Sequence, residues 1–286
     1  MTRPLTLFSH AKLNLALRVA GRRPDGFHEL VTVFERIDLH DDISFAAAPE
    51  GVFSIRCDDP RVPCDSRNLI WKAARVLAEG EGVRKGARIV IRKRIPVAAG
   101  LAGGSSNAAT ALLGLNRLWC LRLSRAQLLS YARMIGSDVA FFLYDTPFAV
   151  GTGRGEVIRP LAAGARLWHF LVVPKAPLLT KDVYGCFGRC FTKNRGDVNI
   201  ILRSLRKDDP AGVGAGLFND LEGPILALRP HLGKLKERVA RGDVLGASFS
   251  GSGPSVFAVV ASEKKAVELK KRFGRAYRQV FVVRTK

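Results

Sequence analysis

The sequence predicts an α+β protein with two lobes, and three observations lead there. Stretches of strand periodicity and stretches of helical periodicity are mixed along the chain, the mark of an α+β fold. The 286 residues are long for one core, so one large or two medium domains are expected. Hydrophobic residues make up 47% and mean hydropathy is +0.07, which suits a globular chain able to bury a sizeable core. No internal repeat or low-complexity linker divides the chain. The expected boundary falls at about residue 165, where a new strand opens, giving lobes 1–164 and 165–286.

The N-terminal part is strand-rich. Residues 11–19 alternate apolar and polar side chains, as a half-buried strand does. Pro24, Asp25 and Gly26 form a turn signal. LVTVFERIDL (30–39), DISFAA (42–47) and GVFSIRC (51–57) read as further strands. SRNLIWKAARVLAEG (66–80) reads as a helix with Ser66 as N-cap and apolar residues at 69, 70, 73, 76 and 77. ARIVIRKRIP (87–96) is a strand, a glycine-rich loop follows, and SNAATALLGLNRLW (106–119) is a helix. SRAQLLSYARMIG (124–136) is a helix capped by Ser124 and stopped by Gly136. SDVAFFLY (137–144) opens a new element, and PFAVGTGRGEVIRPL (147–161) is a strand pair. RLWHFLVVP (166–174) is a strand, and 180–190, 198–207, 216–228 and 230–242 read as short helices. GASFSGSGPSVFAVV (246–260) is strand–turn–strand, 263–274 is a helix and 278–285 a final strand.

Charge is the unusual quantity. Lys and Arg number 46 against 25 acids, a net charge of +21. The bases are scattered, with small clusters at Arg92–Arg94, Arg203–Lys207 and Lys264–Arg272, as on a solvated surface. Those clusters lack interleaved aromatics, which argues against nucleic acid as the partner. The five cysteines at 57, 64, 120, 186 and 190 are odd in number and contain no C-x-x-C pair, so reduced, mostly buried thiols are expected. Cys186 and Cys190 could share a helix face, but no His pair completes a zinc set, and no resident metal is expected. The N-terminal residues are too broken by charge for a signal peptide, and no apolar run reaches the length of a membrane span. The expectation is a cytoplasmic protein, a monomer or weak homodimer, with no membrane partner.

PVAAGLAGGSSNAATALLG (96–114) raises the question of chemistry. It follows a strand and opens a helix, and a helix N-terminus favours phosphate through its unsatisfied N–H groups and its dipole. Glycines allow close backbone approach, and Ser105 and Ser106 add hydroxyls at the helix start. Ala108, Ala109 and Ala111 keep the helix slim for close packing. The spacing fits neither G-x-x-x-x-G-K-[ST] nor G-x-G-x-x-G, so a plain glycine turn stays open on spacing alone. A second loop, SFSGSGPSVF (248–257), sets Gly251 and Gly253 among three serines before Pro254. Two such loops suit two sides of a polyphosphate.

Taken together, the segments resemble the GHMP small-molecule kinases over nearly the whole chain. The motifs are AKLNLAL (11–17), PVAAGLAGGSSNAA (96–109) and SGSGPSVFAVV (250–260). GRRPDGFHEL (21–30), NLIWKAA (68–74), GSDVAFFL (136–143), GRGE (153–156) and FNDLE (218–222) resemble one branch in particular. In that branch the acceptor is a hydroxyl on the methylerythritol part of a cytidine diphosphate derivative, a step of non-mevalonate isoprenoid precursor synthesis. The resemblance implies a two-lobed GHMP-kinase-like fold with the active site in the cleft between the lobes. It also implies ATP with Mg²⁺ as phosphoryl donor.

Residue roles follow from the same likeness. Asp138 matches a G-A/S-D motif as the base, although spacing alone makes it an N-cap for VAFF. Lys12 is the matching cation, with Asn14 two residues on and so on the same strand face as a substrate contact. Pro96, Val97, Ala98, Ala99, Gly100, Leu101, Ala102, Gly103, Gly104, Ser105 and Ser106 are expected around the ATP phosphates. Asn68 and Lys93 are candidates for the nucleoside end of ATP. For the cytidine group the candidates are Phe27, Phe34 and Tyr184 as stacking rings, His28 on the base edge, and Thr180 on the diphosphate. The chain departs from the family at Ala98, Ala99 and Ala102, where many members carry glycine. A cradle then requires that these alanines avoid positive φ. Phe27 replaces a common Tyr. Another GHMP member, such as a homoserine, mevalonate or sugar kinase, would lack the cytidine clamp. A basic nucleic-acid-binding protein is the remaining alternative.

Overall fold

The structure, a computed structural model, describes residues 4–187 and 196–286. Part of the helix expected at 180–190, and Cys190 with it, lies outside the described residues. The chain folds as mixed α and β elements in two compact units that interleave along the sequence. The first unit takes residues 1–11, 39–97 and 102–145, and the second takes 12–38, 98–101 and 146–286.

Strands β1 (Leu5–Arg22) and β2 (His28–Ala48) contribute to both units. The first unit adds β3 (Phe53–Cys57), α1 (Leu69–Glu81), β4 (Gly86–Arg92), α2 (Gly103–Leu118), α3 (Arg125–Ile135) and a 3-10 helix at Ser137–Leu143. The second adds β5 (Phe148–Gly153), β6 (Val157–Pro160), β7 (Trp168–Val173), α4 (Thr180–Cys186), α5 (Val198–Arg206), α6 (Pro210–Gly216) and β8 (Phe218–Asn219). It continues with α7 (Glu222–Leu228), α8 (His231–Ala240), β9 (Gly246–Phe249), β10 (Val256–Val260), α9 (Glu263–Gly274) and β11 (Gln279–Arg284). No helix among the described residues is long and apolar enough to cross a membrane.

In the first unit β4 runs antiparallel to β2 from Asp42↔Arg92 to Ala48↔Gly86, and β3 joins β4 in parallel. Alternation in β4 turns Ala87, Ile89 and Ile91 inward. Helices α1, α2 and α3 pack together with the 3-10 helix. Helix α2 buries Ala108, Ala109, Ala111, Leu112 and Leu115 completely. At Gly114 a Cβ would meet the Phe45 ring at 2.5 Å, so that glycine lets the helix lie close on β2. Each fully buried Leu or Ile contributes roughly 1.5–3 kcal/mol.

In the second unit the earlier part of β2 pairs with β5, and β5 with β6. The later part of β1 pairs with β8 in parallel. A four-stranded antiparallel sheet is ordered β11-β7-β10-β9. One face of it, Phe170, Val172, Phe249, Val256, Ala258 and Val260, packs with Leu232, Leu235, Leu269 and Phe273 from α8 and α9. On β7, His169 alternates with Phe170 and is fully buried. Its Nε2 lies 2.9 Å from Glu35 Oε1, which also accepts from Thr285 Oγ1 at 2.7 Å.

Several sequence expectations are corrected. The N-cap of α1 is Asn68 rather than Ser66: its Oδ1 accepts from Ile70 N at 2.9 Å while its Nδ2 donates to Pro63 O at 2.7 Å. An amide that closes the preceding loop and caps the helix at once displaces a serine that could do only the second. Residues 30–39 and 42–47 are one strand, not two. The Asp41-Asp42 pair does not break it, because the buried Asp41 carboxylate accepts from Lys93 Nζ, Arg94 N and Ile95 N at 2.7–2.8 Å. Residues 218–219 form a short strand ahead of α7, where one helix was expected. The described cysteines are free but not mostly buried: Cys64 and Cys120 are exposed, and Cys57 and Cys186 are intermediate. Cys120 lies just past α2 at φ +60°, a loop position with no core to face. Helix α3 forms as read, with Ser124 at its cap and Gly136 at its end, and so does the 246–260 hairpin.

Candidate active site

The glycine-rich loop passes through both units. It leaves the first at Val97, gives Ala98–Leu101 to the second and returns at Ala102. In the first unit α2 begins at Gly103, earlier than the expected Ser106, and no side chain caps it. Its leading N–H groups have no intrahelical acceptor, which makes this end attractive to an anion. A Cβ at Gly103 would lie 3.0 Å from Ile95 and 3.3 Å from Lys93 Nζ, so the Lys93 ammonium stands beside the helix start. Asp41 holds it there at 2.8 Å, with Lys93 only 6% exposed and Asp41 not at all. Ser105 is half-buried and Ser106 fully buried, with Ser106 Oγ 2.8 Å from Ser9 Oγ. Asn68 spends both ends of its amide on the cap and the Pro63 loop.

Asp138 is the second residue of the 3-10 helix and is half-buried. The N-cap is Gly136, in extended backbone, so Asp138 is not the cap that spacing alone suggested. The apolar residues Val139–Leu143 are buried and anchor the short helix from behind.

The second unit gathers pieces of all three motifs. Lys12 is 4% exposed, donates through Nζ to Asn14 Oδ1 at 2.5 Å and lies 5.6 Å from the centre of the Phe34 ring. Its backbone N–H donates to Leu101 O at 3.2 Å. The second glycine loop is stitched to the first: Ser250 Oγ donates to Gly100 O at 3.0 Å and Ser255 Oγ to Ala99 O at 2.5 Å. A Cβ at Gly251, where φ is +54°, would lie 3.2 Å from Lys12 Nζ, Asn14 Oδ1 and Gly100 O alike. At Gly100, with φ +75°, a Cβ would overlap the Ser250 carbonyl oxygen.

The alanines do not avoid the left-handed region. Ala98 has φ +55° and Ala102 φ +53°, whereas Ala99 is not among the positive-φ residues. The condition expected of a cradle is therefore not met at Ala98 and Ala102: the loop takes the glycine conformation there all the same, at roughly 1–2 kcal/mol of strain each, while the uncapped start of α2 does not depend on it. Ala102→Gly should therefore raise stability by about 0.5–1 kcal/mol once the greater freedom of glycine in the unfolded chain is deducted. Denaturant unfolding of the two proteins measures the difference, and an unchanged or lower midpoint counts against the strain.

Asn219 is a residue the sequence reading passed over. Fully buried on β8, it donates through Nδ2 to Phe249 O at 2.9 Å and Gly251 O at 2.8 Å, and its Oδ1 accepts from Leu221 N at 2.9 Å. The neighbouring Asp220 accepts from Val19 N at 2.9 Å, and burial pushes its carboxyl above the usual range. The FNDLE stretch thus fixes the second glycine loop to β1. Asn219→Ala removes the Asn219 partner of Gly251 O and Leu221 N and leaves Phe249 O only a long bond from Ser248 Oγ, and should destabilise by about 2–4 kcal/mol. Chemical denaturation reads this, and a loss under about 0.5 kcal/mol would assign the loop's position elsewhere.

The aromatic candidates divide. The His28 ring lies 5.2 Å from Tyr184 at 31° and 5.6 Å from Phe187 at 75°. Burial, with the nearby Arg22 charge, holds the His28 imidazole below its usual pKa, which favours the neutral ring. Phe27 is 52% exposed beneath the Arg154 guanidinium, whose carbon lies 4.8 Å from the ring centre. Phe34 is 1% exposed, and a Cβ at Gly151 would meet its ring at 2.5 Å, which makes it a core ring beneath Lys12. Thr180 Oγ1 is 3.0 Å from Ser252 Oγ, linking α4 to the second glycine loop. Phe187 sits in no motif and escaped the sequence reading, whereas Arg154 stands in GRGE (153–156) but was given no role there.

Comparison with known proteins decides the family. Residues 68–146 match the GHMP kinases N terminal domain and residues 201–279 the GHMP kinases C terminal domain. A 4-diphosphocytidyl-2-C-methyl-D-erythritol kinase of Pelotomaculum thermopropionicum is 37% identical over 281 residues, 98% of each chain. The chain belongs to the GHMP kinases. A second such kinase, of Shouchella clausii, is 42% identical over 255 residues, 89% of this chain and 85% of that one. A crystal structure of a 4-(cytidine 5'-diphospho)-2C-methyl-D-erythritol kinase superimposes with a TM-score of 0.82 at 31% identity, covering 99% of this chain and 100% of that one. Within this GHMP kinase the N-terminal match holds Asn68, Lys93, the first glycine-rich loop and Asp138. The C-terminal match holds Asn219 and the second glycine loop, whereas Lys12, His28 and Tyr184 lie outside both.

Proposed function

We propose that this GHMP kinase transfers the γ-phosphoryl group of ATP to a hydroxyl of 4-diphosphocytidyl-2-C-methyl-D-erythritol, giving the 2-phosphate. The carrying observation is the ring cluster on His28 in a chain whose near-full-length relatives bear that kinase's name. A neutral imidazole both donates and accepts, which suits the edge of cytosine. Tyr184 and Phe187 offer flat surfaces beside it, each worth about 1–3 kcal/mol when a base stacks. The exposed Phe27 ring serves as a further stacking surface, and Phe34 acts by supporting Lys12 from the core.

The uncapped start of α2, with Gly103, Gly104 and Ser105, receives ATP phosphate oxygens, with the Lys93 ammonium, paired to Asp41, standing beside it. Among the described residues no cluster of three His, Cys, Asp or Glu side chains could hold a metal ion. Mg²⁺ would come bound to the ATP phosphates and neutralise their charge. Asp138 takes the proton of the substrate hydroxyl. The hydroxyl oxygen forms the new bond to the γ-phosphorus as the bond to the ADP oxygen breaks. Lys12 stabilises the charge on the moving phosphoryl group, and its hydrogen bond to Asn14 keeps the ammonium in place.

The test is ATP consumption with the cytidine diphosphate methylerythritol substrate, against homoserine, mevalonate and galactose. Turnover with the first alone is expected, and turnover with another acceptor alone sinks the reading. Millimolar CMP should raise the melting temperature.

A further inference from the structure

The Asn14 amide that holds the Lys12 ammonium must itself be held in one orientation. We propose that Thr32 is the positioning residue, acting on Lys12 through Asn14; the inference rests on the kinase reading of Lys12 above. Lys12 Nζ donates to Asn14 Oδ1 at 2.5 Å, Asn14 Nδ2 donates to Thr32 Oγ1 at 2.8 Å, and Thr32 Oγ1 donates to Ala16 O at 2.6 Å. All four residues belong to the second unit, on β1 and β2. Lys12, Asn14 and Thr32 are 4%, 2% and 1% exposed, so water does not compete for these bonds.

The direction of every bond follows from the last acceptor. A backbone carbonyl only accepts, so Thr32 gives Ala16 its single proton. The Thr32 oxygen is then left to accept, and the part of the Asn14 amide that faces it must be the NH₂ group. Asn14 Oδ1 is thereby turned to Lys12, and an ammonium, which only donates, requires an acceptor there. Flipping the amide would set NH₂ against the ammonium and one bare oxygen against another, two mismatches in a site without water. The β1 backbone thus dictates, through one hydroxyl, where the cation points. The effect of Thr32 on the reaction passes through the Asn14 amide.

Thr32→Val keeps the β-branched shape and removes the hydroxyl. Steady-state kinetics and melting curves on the full chain, for Thr32→Val, Thr32→Ala, Thr32→Ser and Lys12→Ala, test the proposal. Thr32→Val and Thr32→Ala should each lower kcat about 10- to 100-fold, as small misplacements of a catalytic group do, and leave both KM values within about twofold. Thr32→Ser should keep kcat within about threefold of the parent even where its melting temperature falls with the lost methyl, because it retains the donor and the acceptor. Kinetics that instead follow melting temperature, with Ser as slow as Ala, overturn the proposal and make Thr32 structural. A slow Lys12→Ala beside unimpaired Thr32→Val and Thr32→Ala overturns the role of Thr32 alone. A Lys12→Ala enzyme at full kcat removes the lysine's role and the inference with it.

Discussion

Asp138→Asn should bind ATP as the parent does and turn over about a thousandfold more slowly or worse, at the upper part of what a general base supplies. The side chains have nearly the same shape, and Asp138 sits in a first helical turn anchored by the buried Val139–Leu143 run, so the backbone should not move. What changes is that an amide cannot take the hydroxyl proton. Isothermal titration with ATP and single-turnover rates at saturating Mg²⁺ separate the two effects. A variant that keeps a near-normal rate removes Asp138 as the base. One that loses rate only at low Mg²⁺ makes it a metal ligand instead.

Lys12→Ala is the second large effect. With the ammonium gone, the phosphoryl group loses its charge partner, and kcat should fall about 10²–10³-fold with little change in KM. The substitution also strands Asn14 Oδ1 in a dry site, so a loss of about 1–3 kcal/mol in stability should accompany it. Both readings come from one preparation, by initial rates and by denaturant titration. A rise in KM at constant kcat would make Lys12 a binding residue only.

Much of this was legible in one dimension because the chemistry is written in short, locally constrained runs. A capping serine, a terminating glycine and an alternating strand each declare themselves within a dozen residues: α3 formed where read, and β4 formed but stops at Arg92 rather than running on to Pro96. The motifs carrying Lys12, Gly100 and Gly251 were visible, but not that all three meet beside Asn14, because that depends on pairings across more than a hundred positions. Asn68 displaced Ser66 through a bond to the Pro63 carbonyl that no propensity encodes. The continuity of β2 depends on a carboxylate paired with a lysine 52 positions away. Thr32 reads as an ordinary strand residue and Asn219 as part of a helix, and their importance lies in which backbone groups they reach. The alanines at 98 and 102 show the reverse case: the fold imposes a backbone conformation that the local residue disfavours.

The interleaving of the two units has a consequence in time. The second unit draws residues 12–38 and 98–101 together with 146–286, so it cannot close while the ribosome is still at mid-chain. Gly251 reaches Lys12 only after some 240 intervening residues are made, and Thr285 meets Glu35 across a separation of 250. At about 5–20 residues per second that is a wait of roughly 12–50 s. During it β1 and the Lys12 chain on it have no second glycine loop to pack against. The second unit therefore closes late in synthesis, and until then the strand that bears Lys12 waits for the loop that packs beside it.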